Sequence, residues 1–191
     1  KELRELTGVG FMECKAALTE ASGDLNKAVT ILRTKGKAKA EKRAGRTTGQ
    51  GLIGTYIHQG GQVGVLVEMN CESDFVSRTD DFQALLKEIA MHIAAANPVC
   101  VNRDAVPVED LEREKDIYLA QAKESKKPPN VIDKIVEGKL NSYYSQIVLL
   151  DQPSIRDPKI KISDLINTAI AKLGENITIS RFSRFKIGEK S

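Results

Sequence analysis

The 191 residues fit one domain of ordinary size, or one with a small appendage, and 41% hydrophobic against 29% charged residues exclude an intrinsically disordered chain. No ten consecutive residues are apolar, and the longest uncharged stretch, residues 47–67, is broken by six glycines, which excludes a membrane-spanning helix. The net charge of +3 comes from one segment: without residues 33–46, which hold seven basic side chains and the single acid Glu41, the chain carries −3.

The first 36 residues read as three short helices. Residues 1–6 end at Thr7-Gly8-Val9-Gly10, and residues 11–21 carry Cys14, Ala17, Leu18 and Ala21 on one face. Gly23 closes that helix, and Asp24 caps a third with Leu25, Ala28, Val29 and Leu32, which Gly36 is expected to stop. Residues 37–50 follow as a basic linker with no apolar stripe to pack on anything. From Gly51 the period falls to two. Residues 52–58 and the alternating Val63, Val65, Val67 and Met69 predict a hairpin about Gln59-Gly60-Gly61-Gln62. A loop over 70–78 leads to a helix capped by Thr79, with Phe82, Leu85, Leu86, Ile89, Ala90, Ile93 and Ala94 at 3,1,3,1 spacing, ended by Asn97-Pro98. Helices over 107–126 and 130–140 flank Pro128-Pro129, and residues 147–150 read as a short strand. Residues 162–173 form a helix and 176–187 the last strand, where the three-residue spacing of Phe182 and Phe185 suggests a bulge near 181–184. Strands joined by hairpins or long helical excursions make the class α+β: a three-helix module over 1–36, then an antiparallel sheet core packed with helices over 51–191.

Chemical motifs are sparse. Gly49-Gln50-Gly51-Leu52-Ile53-Gly54 spells GxGxxG, but a dinucleotide site needs a strand before it and a helix after it, whereas here a basic linker precedes and a strand follows. The histidines are His58 and His92, and His92 reads as a satisfied structural side chain on its helix. Neither a nucleophile–base pair nor a metal-ligand cluster stands out, so no catalytic residues, metal or cofactor are expected. Cys14, Cys71 and Cys100 form no CxxC pair and no disulfide framework, which suits a reducing compartment. Glu72 and Asp74 read as solvated loop carboxylates, and the sequon at 176–178 lies inside a predicted strand. The basic segment offers phosphate contacts to RNA, yet no aromatic falls within 33–46 to stack on bases, and a solvated linker is the better reading. The unusual feature is the loop Asn70-Cys71-Glu72-Ser73-Asp74-Phe75-Val76, which sets a large ring beside an acid. Residue physics alone favours a Phe75 folded back onto the core; the sharper reading is a rigidly mounted ring that wedges into a partner.

The run from Leu3 to Leu18 and the loop from Asn70 to Val76 resemble the elongation factor Ts family. The likeness continues through Ala90–Ala94, Lys134–Gly138, Gln152-Pro153 and Gly174-Glu175-Asn176-Ile177, nearly the whole chain. It implies a translation elongation factor of the bacterial cytoplasm, an organellar copy being the other reading, and not an enzyme in its own right. As a guanine-nucleotide exchange factor, it would bind the GTPase domain of elongation factor Tu with GDP bound. It would then disturb the Mg²⁺/nucleotide site, so that GDP leaves and GTP rebinds. Residues 1–36 are similar to a ubiquitin-associated-like module whose Arg4, Phe11 and Met12 touch the partner. Ser73, Asp74, Phe75 and Val76 match the loop that dislocates Mg²⁺, with Ser73 where Thr is more usual. Leu173, Gly174 and the hairpin residue His58 are the remaining partner contacts the resemblance implies. Longer family members carry two core halves and this chain one, which implies a homodimer through residues 51–191, with Ile177–Ile187 as a candidate interface strand. Neither a membrane nor direct nucleic-acid binding is expected, and the alternative function is an RNA-binding translation accessory using residues 33–46. The chain opens at Lys1 inside a helical pattern, so residues preceding it are expected.

Overall fold

Local signals build the first three helices. In the structure, a computed structural model that describes residues 1–124 and 128–189, α1 (Glu2–Thr7) ends at Gly8, whose φ of +64° makes the left-handed cap. α2 (Phe11–Glu20) and α3 (Leu25–Glu41) follow, and the Asp24 carboxylate accepts the Lys27 N–H at 3.0 Å to start α3. Leu3, Val9, Cys14, Ala17, Ala21, Ala28 and Leu32 make a core of their own. α3 does not stop at Gly36 but runs on to Glu41, and the basic segment does pack. Leu32, Gly36 and Ala40 recur every four residues on one buried face, and a β-carbon on Gly36 would stand 3.6 Å from that of Ala171. Small residues do here what an apolar stripe does elsewhere.

β1 (Gln50–Ile57), β2 (Val63–Cys71) and β3 (Ile177–Lys186) form an antiparallel sheet in the order β1-β2-β3. Val65, Val67, Met69 and Cys71 alternate onto the buried face. Pairing of Glu68 with Arg181 and of Met69 with Ile179 leaves Ser180 as the extra residue, so the bulge lies at Ser180, just before the expected stretch. Phe182 then opposes buried Val67, while Phe185 opposes Gly64 on the outer face; their spacing of three simply puts them on opposite faces. The last two glycines of the GxGxxG string are strand residues that meet neighbours closely. A β-carbon on Gly51, at φ +150°, would stand 2.3 Å from the Met69 carbonyl oxygen, and one on Gly54 would stand 2.6 Å from Leu86 Cγ. Leu86 belongs to α5 (Asp80–Ala96), which begins with the Phe82 N–H on Thr79 Oγ1 at 3.3 Å. Between β2 and α5 the expected loop contains one helical turn, α4 (Asp74–Ser77).

The chain divides into two compact units, residues 1–91 with 163–191, and residues 92–162. In the second, α6 (Val108–Glu124) and α7 (Pro129–Ile147) pack together, α7 extending seven residues past the expected Leu140. The expected strand at 147–150 is instead the end of α7 and a 3-10 turn over Leu149–Asp151, with one parallel bridge between Cys100 and Val148. His92, wholly buried, shares a 2.9 Å hydrogen bond with Gln152, whose amide nitrogen donates to the Gln146 carbonyl at 2.7 Å. This is the structural histidine the sequence suggested. Arg103 donates to both oxygens of Asp151 at 2.7 and 3.0 Å and lies 4.4 Å above the Tyr144 ring. α8 (Ile162–Leu173) completes the helices, and none among the described residues is long and apolar enough to cross a membrane.

Candidate functional site

The loop after β2 is built from its backbone outward. Ser73 has extended φ and ψ, and its hydroxyl oxygen accepts the Val76 N–H at 3.5 Å, the start signal for α4. Asp74 sits in the first turn, suited to the helix dipole, and its carboxylate takes a 2.8 Å bond from Arg78. Ser77 and Thr79 turn their hydroxyls back onto the Asp74 and Val76 carbonyls at 2.9 and 2.7 Å, which ends the turn. Phe75 is left 81% exposed. The ring is therefore not folded back onto the core, contrary to what residue physics alone favoured.

A four-residue helix has too few internal bonds to hold itself, so the support must come from elsewhere. It comes from the α8–β3 junction. The Glu175 carboxylate accepts the Ser73 hydroxyl at 2.6 Å and the Ser73 N–H at 2.9 Å. In return, the Glu72 carboxylate accepts the Asn176 N–H at 2.7 Å and lies 3.5 Å from Arg46. Buried Asn176 donates its side-chain amide to the Arg46 carbonyl at 2.9 Å. Glu72 is thus a structural acceptor, not a solvated loop acid. The Cys71 thiol donates to the Ser73 carbonyl at 3.0 Å, and burial, followed by the nearby Glu175 charge, pushes its pKa up, so it is not a ready nucleophile.

The other sequence-picked residues fall into three places. Leu173 is half-buried at the end of α8 and Gly174 follows at φ +82°, directly before Glu175, so the clamp joins this pair to Ser73–Val76. Arg4 and Phe11 line one groove of about 640 Å³ with Leu3, Lys15 and Leu18, and Phe11 and Met12 are 65% and 71% exposed. This module abuts the same junction: a β-carbon on Gly8 would stand 3.5 Å from Lys172 Nζ, which donates to Asp81 at 2.6 Å. His58 lies elsewhere. It follows β1 at the hairpin end, bonded to Tyr56 at 3.0 Å, with the eight steps of β2 (roughly 27 Å) between that end and Cys71.

In the basic segment, Lys35 pairs with Glu20 at 2.6 Å, Lys39 with Glu13 and Arg46 with Glu72, so three of its seven cations face carboxylates of this chain. Among the described residues no group of three or more His, Cys, Asp or Glu side chains is arranged to hold a metal ion. Sequence reasoning gave no role to Glu175, Asn176 or Glu72, whose bonds between the two loops span 102 to 104 residues and leave no local pattern.

Comparison with known proteins adds the family. A family model described as elongation factor TS matches residues 14–189. A relative named elongation factor Ts from Caldanaerobacter subterraneus subsp. tengcongensis is 58% identical over 189 residues, 99% of this chain and 94% of its own length. One from Fervidobacterium nodosum is 57% identical, covering 99% and 96%, and one from Geobacter sulfurreducens is 54% identical, covering 98% and 87%.

Proposed function

The chain belongs to the elongation factor Ts family, and from that premise we propose that it is the guanine-nucleotide exchange factor of elongation factor Tu. The observation that supports the reading is Phe75: a large ring, 81% exposed, on a turn whose cap and carboxylate clamp fix its base. A ring presented in this way enters a partner without first being ordered, which is how a few aromatic anchors come to dominate an interface. The three-helix module docks through Arg4, Phe11 and Met12, and Ser73–Val76 reach the Mg²⁺ site with Leu173 and Gly174 beside them. His58 contributes at the hairpin end.

In the partner, Mg²⁺ bridges nucleotide phosphates and GTPase oxygens and neutralises their charge. A wedge that displaces those ligands weakens metal and nucleotide together, GDP leaves, and GTP rebinds. The steps are binding steps, so the chain acts without catalytic residues or a cofactor of its own, in a bacterial cytoplasm. Two copies act together, joined through the outer sheet face on which Ile53, Ile57, Leu66 and Phe185 are exposed.

Exchange by this route is reciprocal: the factor by which the chain weakens GDP binding equals the factor by which GDP weakens binding of the chain. Titrations of elongation factor Tu with GDP, with and without the chain, and with the chain, with and without GDP, give both ratios. Equal ratios well above one are expected. Ratios of one would overturn the function.

A further inference from the structure

We propose that Glu175 is a positioning residue for exchange: through Ser73 it fixes the α4 turn, and so ties the Leu173–Gly174 contact to the Phe75 ring. This rests on the reading of Phe75 as the element that disturbs the nucleotide site. Ser73 is where the tie is made. Its backbone N–H and its hydroxyl both donate to one carboxylate, at 2.9 and 2.6 Å, so its rotamer and its peptide plane are set by a residue 102 positions away. The same oxygen that gives its proton to Glu175 accepts the Val76 N–H, so the clamp orients the cap of α4. Glu72 returns a bond to the Asn176 N–H at 2.7 Å, and Asn176 reaches the Ala44 and Arg46 carbonyls at 3.4 and 2.9 Å. Three chain segments thereby meet at the base of one exposed ring.

The pair of donors suits a carboxylate. Its two oxygens each accept one of the two Ser73 donors, whereas an amide has a single acceptor oxygen. Phe75, being 81% exposed, contributes little packing that would hold the turn by itself. Loss of the clamp therefore leaves the ring in place chemically but distributes it over several orientations, which lowers the rate of GDP release from the complex more than it weakens docking through the three-helix module.

The test measures release of a fluorescent GDP analogue from elongation factor Tu at saturating chain for the parent, Glu175→Ala, Glu175→Gln, Phe75→Ala and the double variant. Glu175→Ala is expected to slow release about tenfold, with half-saturation moved less than about threefold, and Glu175→Gln to fall between it and the parent. In the Phe75→Ala background, Glu175→Ala should change the rate less than about twofold, because no ring remains to be positioned. A Glu175→Ala rate equal to the parent's, or losses that multiply in the double variant, would overturn the proposal. Ser73→Ala, which keeps the backbone donor, is read in the same way if Glu175→Ala does not fold, with an expected loss of about threefold. A parent that does not accelerate release refutes the exchange function itself. Amide hydrogen exchange of the free chain then decides the clamp: faster exchange at Val76–Thr79 with sheet amides unchanged in Glu175→Ala supports it, and no change overturns it.

Discussion

The two ends of the sheet expose large apolar side chains in opposite ways. Beyond Cys71, Phe75 stands alone on a turn held from outside by Glu175. At the hairpin end Ile57, Phe185 and Ile187, 67%, 69% and 75% exposed, lie together about a shallow depression of about 520 Å³ with Leu66 beside them. A single ring on a fixed mount has the shape to enter a cleft. An apolar patch spread over three strands is satisfied by another surface laid over it. Exposure alone thus does not assign a role; the mount does.

The largest effect is expected at the hairpin end. Replacing Phe185 by Asp together with Ile187 by Ser is expected to weaken self-association at least about a hundredfold, read as a fall in light-scattering mass from twice 21.0 kDa to 21.0 kDa at micromolar chain. A parent already monomeric there would remove the flat-face assignment and leave Phe75 untouched. A smaller effect sharpens what holds the sheet beneath both ends. Gly54→Val drives a branched side chain into Leu86, whose Cγ lies 2.6 Å from the β-carbon position, and should destabilise the chain by about 1–3 kcal/mol in urea unfolding. The smallest effect belongs to the second unit. The bonds from Arg103 hold the Asp151 pKa below the ordinary aspartate value. A lowered carboxylate contributes stability that is present above its unfolded pKa and lost as pH falls through the folded one. Asp151→Asn should therefore lower the melting temperature by about 2–4 °C at neutral pH, with the gap closing as the pH falls below the ordinary aspartate range. A gap that persists at acid pH would mean that Asp151 acts through packing instead.

What could be read in the sequence was local. Asp24 and Thr79 are caps whose partners lie three residues on; Val63 to Met69 alternate in place; α5 repeats at helical spacing. The α+β class follows from these. What could not be read depends on distant residues. The small face of α3 beyond Gly36 meets Ala171, and the turn that carries exposed Phe75 is bonded through Ser73 to Glu175. The bulge was expected near the phenylalanines, but their spacing reports two faces of β3, and the extra residue is Ser180. Family likeness points to Ser73, Asp74, Phe75 and Val76, yet likeness names residues without their mount. The carboxylates that supply the mount, Glu72 and Glu175, are ordinary acids until the two loops meet.

The most direct measurement of the central claim is release of a fluorescent GDP analogue from elongation factor Tu with the parent chain and with Phe75→Ala. Strong acceleration is expected with the parent and less than about a thirtieth of it with the variant, the loss expected of a central aromatic anchor. Equal acceleration by the two chains would contradict it, and would move the exchange mechanism away from the exposed ring.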